Sequence, residues 1–514
     1  MKRILLSLLF LTTIVQAKTP QDVLVMAWDM DELVTLDPAA SFEFCSNELI
    51  YNMYQRLLTH DTQDSAAYVP EIAESWTVQD EGKRHVFKIK KGLKFASGNP
   101  VTAQDVIFSF QRLILLNKSP SNIFKEFGWN KDNIVQMVFA PADDEVHLRL
   151  EKPLAPTLVY TILSSANCSI VDQKELLVKD TQDFGNRWLT QHSAGSGPYK
   201  LDKWTSQQLV VLLANPYYTP QPSIAKIVMK DVREASTQEL LLRKGDVDIA
   251  KNLSLSTIEL IPTAIPFSLE TANLKVMHLN QKNKYLQNPK VRDAITHLID
   301  YDGIAKNIKR GSMVPHNSFV PSHFPFSIKG QQFSFDPEKA KLLLKEAGYP
   351  QGFSLSLSTV DSELAQKLKN DFAQAGIDLQ IHLGDSKQVL TKIRQRTHEM
   401  ALATWGSDYF DPDANASTFL RNPDNQDTST EKTLAWRNAW DIPDITQQTD
   451  AAKGMQDTAQ RHQAYLNLQK VFFANAPLIV ISQQNKILGV QQNVEGISMI
   501  PSLSTILYAN IIKK

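Results

Sequence analysis

The hydrophobic and polar positions of this chain follow two alternating periods. Segments 85–90, 145–150, 353–358 and 379–383 place apolar residues at every second position, which predicts strands. Other segments repeat apolar residues three and four positions apart, which predicts helices with one buried face, including one between the last two strands. Such alternation predicts mixed layers and an α/β fold rather than an all-α or all-β one.

Several predicted helices carry recognisable first turns. Thr102 and Asp105 have the spacing of a capping box, and Asn288-Pro289 and Asp336-Pro337 each combine a capping side chain with a proline in the first turn. The segment from about 421 to 460 is polar and aperiodic in its first half, which predicts a long surface loop.

Length and charge narrow the possibilities. The chain has 514 residues, whereas single hydrophobic cores stop growing near ~250–300 residues, so two or three packed units are expected. Its 54 Lys and Arg against 55 Asp and Glu leave a formal net charge of -1. That balance lacks the basic footprint of a nucleic-acid-binding protein.

The first residues have the order of a secretory signal peptide. Lys2 and Arg3 precede the apolar run 4–15, and Val15-Gln16-Ala17 resembles a cleavage site. A bilayer-spanning helix needs ~20 apolar residues, so an uncleaved anchor is the weaker alternative. We expect residues 1–17 to be removed and the mature chain to be a soluble exported protein.

The two cysteines leave two interpretations open. In an oxidising compartment, Cys45 and Cys168 would form one long-range disulfide or remain two buried thiols, and sequence cannot supply the distance that decides between them.

Motifs for catalysis or metal binding are missing from the sequence. The eleven histidines are scattered, Gly195-Ser196-Gly197 lacks nucleophile-elbow spacing, and Asp408, Asp411 and Asp413 do not complete a calcium loop. We therefore expect no catalytic residues, no metal and no cofactor, although a carboxylate pair for glycoside hydrolysis has no linear signature.

A series of segments resembles the bacterial extracellular solute-binding proteins of family 5, which serve ATP-driven importers of peptides, nickel and related ligands. The likeness runs in the family's order through nearly the whole mature chain, in segments 36–39, 70–76, 87–95, 98–106, 195–199, 215–218, 245–249, 291–300, 336–349 and 405–412.

The resemblance implies two lobes joined by two crossing segments, with ligand enclosed between them. Lobe I would comprise residues 18–276, with an extra subdomain at about 62–190, and lobe II residues 277–486. Residues 487–514 would return to lobe I, and the crossings would fall near 277–280 and 480–482.

The resemblance also implies a ligand-binding loop at Trp405, Asp408 and Tyr409. In peptide-binding relatives, the aspartate at the position of Asp408 pairs with the ligand's α-amino group, and a buried ammonium does need such a partner. Trp405 would supply an apolar wall. The alternative is that Asp408 caps a turn and Trp405 belongs to the core.

Two further groups complete the predicted site. Phe42, Glu43 and Phe44 lie where relatives contact ligand from lobe I, and Arg394 and Arg396 lie where some relatives carry ligand-facing arginines. Met313 and His316 are too isolated to predict a nickel site.

The resemblance thus implies a periplasmic, monomeric, non-enzymatic substrate-binding subunit that captures peptides and delivers them to the permease subunits of an ATP-binding-cassette importer. The same fold could instead bind nickel chelates, glycosides or opine-like compounds. A secreted hydrolase with a two-lobed cleft is the alternative from another class.

Overall fold

The computed structural model describes residues 19–61, 67–179, 182–500 and 505–514. The predicted signal peptide at 1–17 lies outside these residues. Strands and helices alternate along the described chain, which confirms the α/β class. No helix in these ranges combines the length and the apolarity needed to cross a bilayer.

The strands, in chain order, are β1 (Val23–Trp28), β2 (Leu58–His60), β3 (Tyr68–Pro70), β4 (Ala73–Gln79), β5 (Arg84–Ile89), β6 (Val138–Ala142), β7 (Glu145–Arg149), β8 (Tyr199–Thr205), β9 (Leu209–Ala214), β10 (Lys226–Asp231), β11 (Ile249–Ala250), β12 (Ala264–Leu279), β13 (Met313–Pro315), β14 (Phe353–Thr359), β15 (Ile377–Leu383), β16 (Met400–Gly406), β17 (Leu478–Gln491), β18 (Val494–Glu495), β19 (Ser498–Ile500), β20 (Thr505–Leu507) and β21 (Ile512–Lys513).

The α-helices are α1 (Phe44–Met53), α2 (Ala103–Leu116), α3 (Ile134–Met137), α4 (Pro156–Leu163), α5 (Gln173–Lys179), α6 (Asn186–Leu189), α7 (Ala235–Lys244), α8 (Leu255–Glu259), α9 (Pro289–Thr296), α10 (Tyr301–Gly303), α11 (Pro337–Glu346), α12 (Ser362–Ala373), α13 (Ser386–Arg394), α14 (Asp413–Phe419), α15 (Leu434–Arg437), α16 (Pro443–Gly454) and α17 (Thr458–Asn475).

One large sheet organises the described chain. Its strand order is β15-β14-β16-β12-β17-β11-β1-β10-β9-β8, with β13 paired to β17. The two longest strands, β12 and β17, are antiparallel neighbours in the middle of this order. Their pairing is interrupted between Glu270 and Leu274, where the register shifts. A bulge of this kind bends a strand, so the centre of the sheet changes direction there.

Residues before and after this bulge belong to different hydrophobic clusters. Leu269 on β12 and Leu488 on β17 pack with residues from the first half of the chain. Ala272 on β12 belongs to one cluster of the intervening span, and Ile481 on β17 to the other. Separate cores joined by two strands are what a two-lobed protein requires. The predicted lobe boundaries at 276/277 and 486/487 lie a few residues from the positions where the clusters change, and they stay predictions.

A smaller antiparallel sheet, β4-β5-β7-β6, lies within the first half. It packs with α2 and α4 in a cluster that includes Phe87 and Phe110. These elements fall within the predicted extra subdomain at about 62–190, whose limits stay a prediction.

Local sequence signals are confirmed in detail. Thr102 and Asp105 form a reciprocal capping box at α2, and Asn288 and Asp336 cap α9 and α11 through their side chains. Gly197 is required by close packing, because a Cβ there would lie 2.5 Å from the carbonyl carbon of Met53. The family-like Gly195–Tyr199 segment is therefore structural.

Two expectations need correction or completion. The segment from 421 to 460 was expected to be largely loop, but α15 and α16 lie within it, and Trp436 and Trp440 are buried. These two buried indoles pack a segment whose other residues are mostly polar. The alternatives for the cysteines are also decided: Cys45 and Cys168 are free and buried in separate clusters.

Candidate functional site

A cavity of about 680 Å³ opens where the two halves of the chain meet. This volume lies within the range of small-ligand sites. Its lining comes from the ends of β1 and β11, from α1, from both central strands, and from loops of the second half. The lining residues are Trp28, Asp29, Asp31, Glu32, Phe44, Cys45, Glu48, Asn252, Thr271, Asn273, Lys309, Ser312, Met313, Asp361, Gln484, Asn485 and Lys486.

The two central strands supply a polar floor. Thr271 and Asn273 lie in the irregular part of β12, and Gln484, Asn485 and Lys486 lie opposite on β17. The Oδ1 atom of Asn485 is buried without a hydrogen-bond partner among the described residues. Unpaired buried acceptors are unusual in native proteins, so this amide is available to a donor on a ligand.

A buried ion pair lies beneath the wall formed by the first half. Lys251 Nζ donates to both carboxylate oxygens of Glu48, at 2.6 and 2.7 Å, and the Tyr508 hydroxyl also donates to Glu48. Burial lowers the pKa of Lys251 to about 8, although the Glu48 charge opposes the change. The same ammonium lies 3.3 Å from the centre of the Trp28 ring. These contacts hold Trp28 at the cavity surface.

The opposite wall carries a second satisfied cation. Lys309 Nζ lies 3.0 Å from Asp361 and 3.2 Å from Glu363. The two carboxylates raise the pKa of Lys309 despite desolvation by burial, which acts in the other direction and is the largest single influence. The ammonium is therefore charged and already paired.

Asp408 differs from these groups because its carboxylate is exposed and unpaired. It forms no hydrogen bond or ion pair within the described part of the chain. Its pKa is nevertheless raised, because the surrounding protein removes part of its hydration. Asp408 is not among the residues that line the cavity. It follows β16, whose last residue, Gly406, pairs with the cavity residue Asn273.

The two aromatic neighbours of Asp408 have structural contacts. Trp405 is half-buried, donates from Nε1 to Asn415 Oδ1 at 2.8 Å and packs on Phe419. The Tyr409 hydroxyl donates to Asp413 at 2.9 Å, while its ring packs against the cluster around the smaller sheet. Tyr409 thus connects the two halves of the chain. Neither residue is among those lining the cavity, and their roles toward ligand stay predictions.

Of the two predicted phenylalanines, Phe42 and Phe44, one lines the cavity and the other does not. Phe44 begins α1, is 50% exposed and lines the cavity. Phe42 is 48% exposed without lining it, and Glu43 precedes the helix with its carboxylate accepting from the Phe42 amide. Phe44 therefore presents apolar surface to the cavity and is well placed to contact a ligand.

The two predicted arginines are not brought to the cavity. Arg396 is buried, its guanidinium donates to Asn425 and Asp427 at 2.9 Å, and it lies over the Trp436 ring. Arg394 is exposed at the end of α13. A ligand-binding role for these two side chains stays a prediction that the observed contacts do not favour.

Most of the polar lining was missed by sequence reasoning, yet one signal was available. The segment Gln483-Gln484-Asn485-Lys486, preceded by Ser482, interrupts an otherwise apolar strand between Ile481 and Ile487. Five consecutive polar residues in the middle of a central strand indicate a local opening, because a buried sheet cannot accommodate them on both faces.

The described residues contain no group of three or more His, Cys, Asp or Glu side chains arranged to hold a metal ion. His316 is instead buried with Nε2 at 2.8 Å from the Val320 carbonyl oxygen.

Separate hydrophobic clusters in the two halves of the chain, two connecting strands and a cavity where the halves meet define a two-lobed protein with room for a ligand. A family model described as "Bacterial extracellular solute-binding proteins, family 5 Middle" matches residues 67–427. The chain belongs to this family, the solute-binding proteins of ATP-binding-cassette importers.

Curated relatives match over most of their length. The probable D,D-dipeptide-binding periplasmic protein of Escherichia coli strain K12 is 27% identical over 514 residues, covering 98% of this chain and 96% of that protein. The dipeptide-binding protein of the same strain is 24% identical, with 86% of each chain covered.

Solved structures share the fold. HbpA2 from Haemophilus parasuis has a TM-score of 0.81 and 22% identity, covering 96% of this chain and 100% of that chain. The periplasmic binding protein DppA from Helicobacter pylori, in complex with the peptide STSA, has a TM-score of 0.74 and 24% identity, covering 96% and 98%. At these identities the likeness shows the two-lobed fold.

Proposed function

We propose that this protein is the periplasmic substrate-binding subunit of a peptide importer. It encloses a short peptide between its lobes and presents it to the permease, without catalysing a reaction. The single observation that carries the proposal is the cavity of about 680 Å³ where the two halves of the chain meet, next to a strand that leads to the unpaired Asp408.

The chemistry of the lining supports a peptide. Amide side chains of Asn252, Asn273 and Gln484 can pair with peptide N–H and C=O groups, and Phe44 offers apolar surface to a side chain. Asp408 provides a carboxylate for the ligand's ammonium. The names of the curated relatives, which refer to dipeptides, agree with this chemistry.

Asp408 gives the most direct test. In the Asp408→Asn variant, a di- or tripeptide that binds the wild type is expected to bind at least about tenfold more weakly, because hydrogen bonds to charged groups contribute roughly 1.5–3 kcal/mol. N-acetylation of the peptide removes the ammonium, so it should weaken binding to the wild type and have much less effect on the variant. Isothermal titration calorimetry measures both.

Asp202→Asn is the matched control, because Asp202 is an exposed aspartate on β8 outside the cavity. It should bind peptide like the wild type. Equal affinity of the wild type and Asp408→Asn would contradict the assigned role. Mass spectrometry of ligand retained through purification would reveal a nickel chelate, glycoside or opine instead of a peptide, and turnover of the retained compound would indicate a hydrolase.

Export is the remaining part of the proposal. A signal peptide at 1–17 implies that protein recovered from the periplasm begins at Lys18. N-terminal sequencing of the periplasmic fraction tests this, and a chain retaining Met1 in the inner membrane would contradict it.

A further inference from the structure

We propose that Lys486, on the central strand β17, binds the carboxylate group of the ligand. This inference rests on the proposed function of the cavity as a peptide site. Lys486 lines the cavity and is half-buried. Within the described part of the chain, its ammonium has no hydrogen-bond acceptor and no carboxylate at ion-pair distance.

The other cations near the cavity are already neutralised. Lys309 is held by Asp361 and Glu363, and Lys251 below the surface is held by Glu48. A half-buried ammonium without a partner is costly, since partial desolvation is not compensated. An anion supplied by the ligand would compensate it at Lys486 without breaking an existing pair.

The surroundings of Lys486 favour an anion further. Its ammonium lies 5.7 Å from the centre of the Trp28 ring, and the Lys251 ammonium lies 3.3 Å from the same centre. The two positive charges are close enough to contribute to the lowered pKa of Lys251. The neighbouring Asn485 keeps its Nδ2 within 3.3 Å of Ser268. A bound carboxylate would relieve the repulsion between the two lysines.

Five carboxylates line the cavity, and two of them, Glu48 and Asp361, are already paired with lysines. The other three, Asp29, Asp31 and Glu32, are the competing partners, and Asp31 is paired with Arg233 at 2.5 Å. None of the three lies within ion-pair distance of Lys486. If these carboxylates nevertheless balance the charge of Lys486 in solution, Lys486 would stabilise the empty protein and would not bind the ligand. The comparison of free and amidated peptides separates the two cases.

Sheet order relates Lys486 to Asp408 and thereby suggests a ligand length. β16, which leads to Asp408, pairs with β12, and β12 pairs with β17, where Leu269 lies opposite Lys486. Two strand spacings correspond to about 10 Å, and Gly406 pairs with Asn273, four positions along β12 from Leu269, which adds an offset along the strands. An extended peptide advances roughly 3.3–3.6 Å per residue, so a peptide of three or more residues is needed to reach from one group to the other.

The experiment compares free and amidated peptides. The probes are an equimolar mixture of tripeptides with a free C-terminus and the same mixture amidated at the C-terminus, with a dipeptide pair in parallel. For the wild type, amidation is expected to weaken binding about 10- to 100-fold, because it removes a charge-assisted pair. For Lys486→Gln, free peptides should bind that much more weakly and amidation should have little further effect. Lys486→Arg should restore the preference for the free carboxylate.

Lys203→Gln is the matched control, because Lys203 is an exposed lysine on β8 outside the cavity; discrimination against the amide should persist. If amidation weakens binding equally in the wild type and in Lys486→Gln, the inference about Lys486 is wrong while the peptide function stands. A lower melting temperature of empty Lys486→Gln with unchanged discrimination would assign Lys486 to the protein's own carboxylates and overturn the inference. If no free peptide stabilises the wild type, the proposed function fails, and this inference fails with it.

Discussion

Two aspartates of this protein have opposite environments. Asp37 is fully buried and accepts from Arg112 through both oxygens, at 2.7 and 2.6 Å, with further donors from Asn186 and the Ala39 amide. Asp408 is exposed and has no partner within the described chain. A carboxylate with every acceptor position occupied holds the fold together, whereas an exposed carboxylate without a partner is available to a ligand.

Two neighbouring lysines, Lys251 and Lys486, show the same contrast between a paired and an unpaired charge. Lys251 and Lys486 both approach the Trp28 ring, but Lys251 is paired with Glu48 and Lys486 is not paired among the described residues. Pairing therefore distinguishes structural charges from candidate binding charges even when they are neighbours. If burial were the only criterion, Lys251, which is the more buried of the two, would be the stronger candidate for ligand binding.

The largest expected effect comes from breaking the Asp37–Arg112 pair. Asp37→Asn leaves a buried guanidinium without its counter-charge, so the free energy of unfolding should fall by about 3–5 kcal/mol. Denaturant unfolding measures this. Asp302→Asn is the control, because Asp302 pairs with Lys306 on the surface at 3.5 Å and should cost at most about 1 kcal/mol. If both variants lose a similarly small free energy of unfolding, Asp37 does not hold the fold together in the way proposed.

A somewhat smaller effect concerns His85, a buried group on β5 that avoids charge. Burial lowers the pKa of His85 to about 4 from its ordinary value of 6.5. Between these values the unfolded chain binds the proton and the folded protein does not, so acidification destabilises the protein, by up to about 3 kcal/mol in total. The contribution is fully present above pH 6.5 and is lost as the pH falls to 4.

His85→Phe removes this titration. The difference in unfolding free energy between the wild type and the variant should therefore change across pH 6.5 to 4 and be constant above it. Parallel pH profiles would show that His85 is accessible to protons in the folded state.

The smallest effect is expected at Asp408 in the empty protein. Because its pKa is raised, the folded state disfavours its charge, and Asp408→Asn should leave the free energy of unfolding within about 0.5 kcal/mol or increase it slightly. Thermal unfolding without ligand provides the measurement. A marked loss would mean that Asp408 supports a turn, which is the alternative to ligand binding.

The predictable parts of the fold were those with local causes. Thr102 with Asp105, and Asn288 and Asp336 with their following prolines, determine where α2, α9 and α11 begin, because capping depends on residues within one turn. The helices between 421 and 460 were missed, because Trp436 and Trp440 are isolated in a polar stretch and their burial depends on distant packing partners.

The candidate site was predictable only in part. Phe44 lines the cavity, and its contact with ligand stays a prediction, while Arg396 is occupied by Asn425 and Asp427, residues about thirty positions away. Sequence distance gave no indication of that pairing. The polar interruption at 483–486 was visible, but its function depends on what lies opposite it.

The amino-acid sequence alone therefore determined the α/β class, the family resemblance and the helix starts, since these depend on periodicity, short-range capping and a recognisable order of motifs. Which charges are paired was decided by the tertiary structure. Glu48 meets Lys251 across 203 positions and Asp37 meets Arg112 across 75. Lys486 is left unpaired because β12 and β17 bring it to a cavity floor where none of the described carboxylates lies within ion-pair distance of its ammonium.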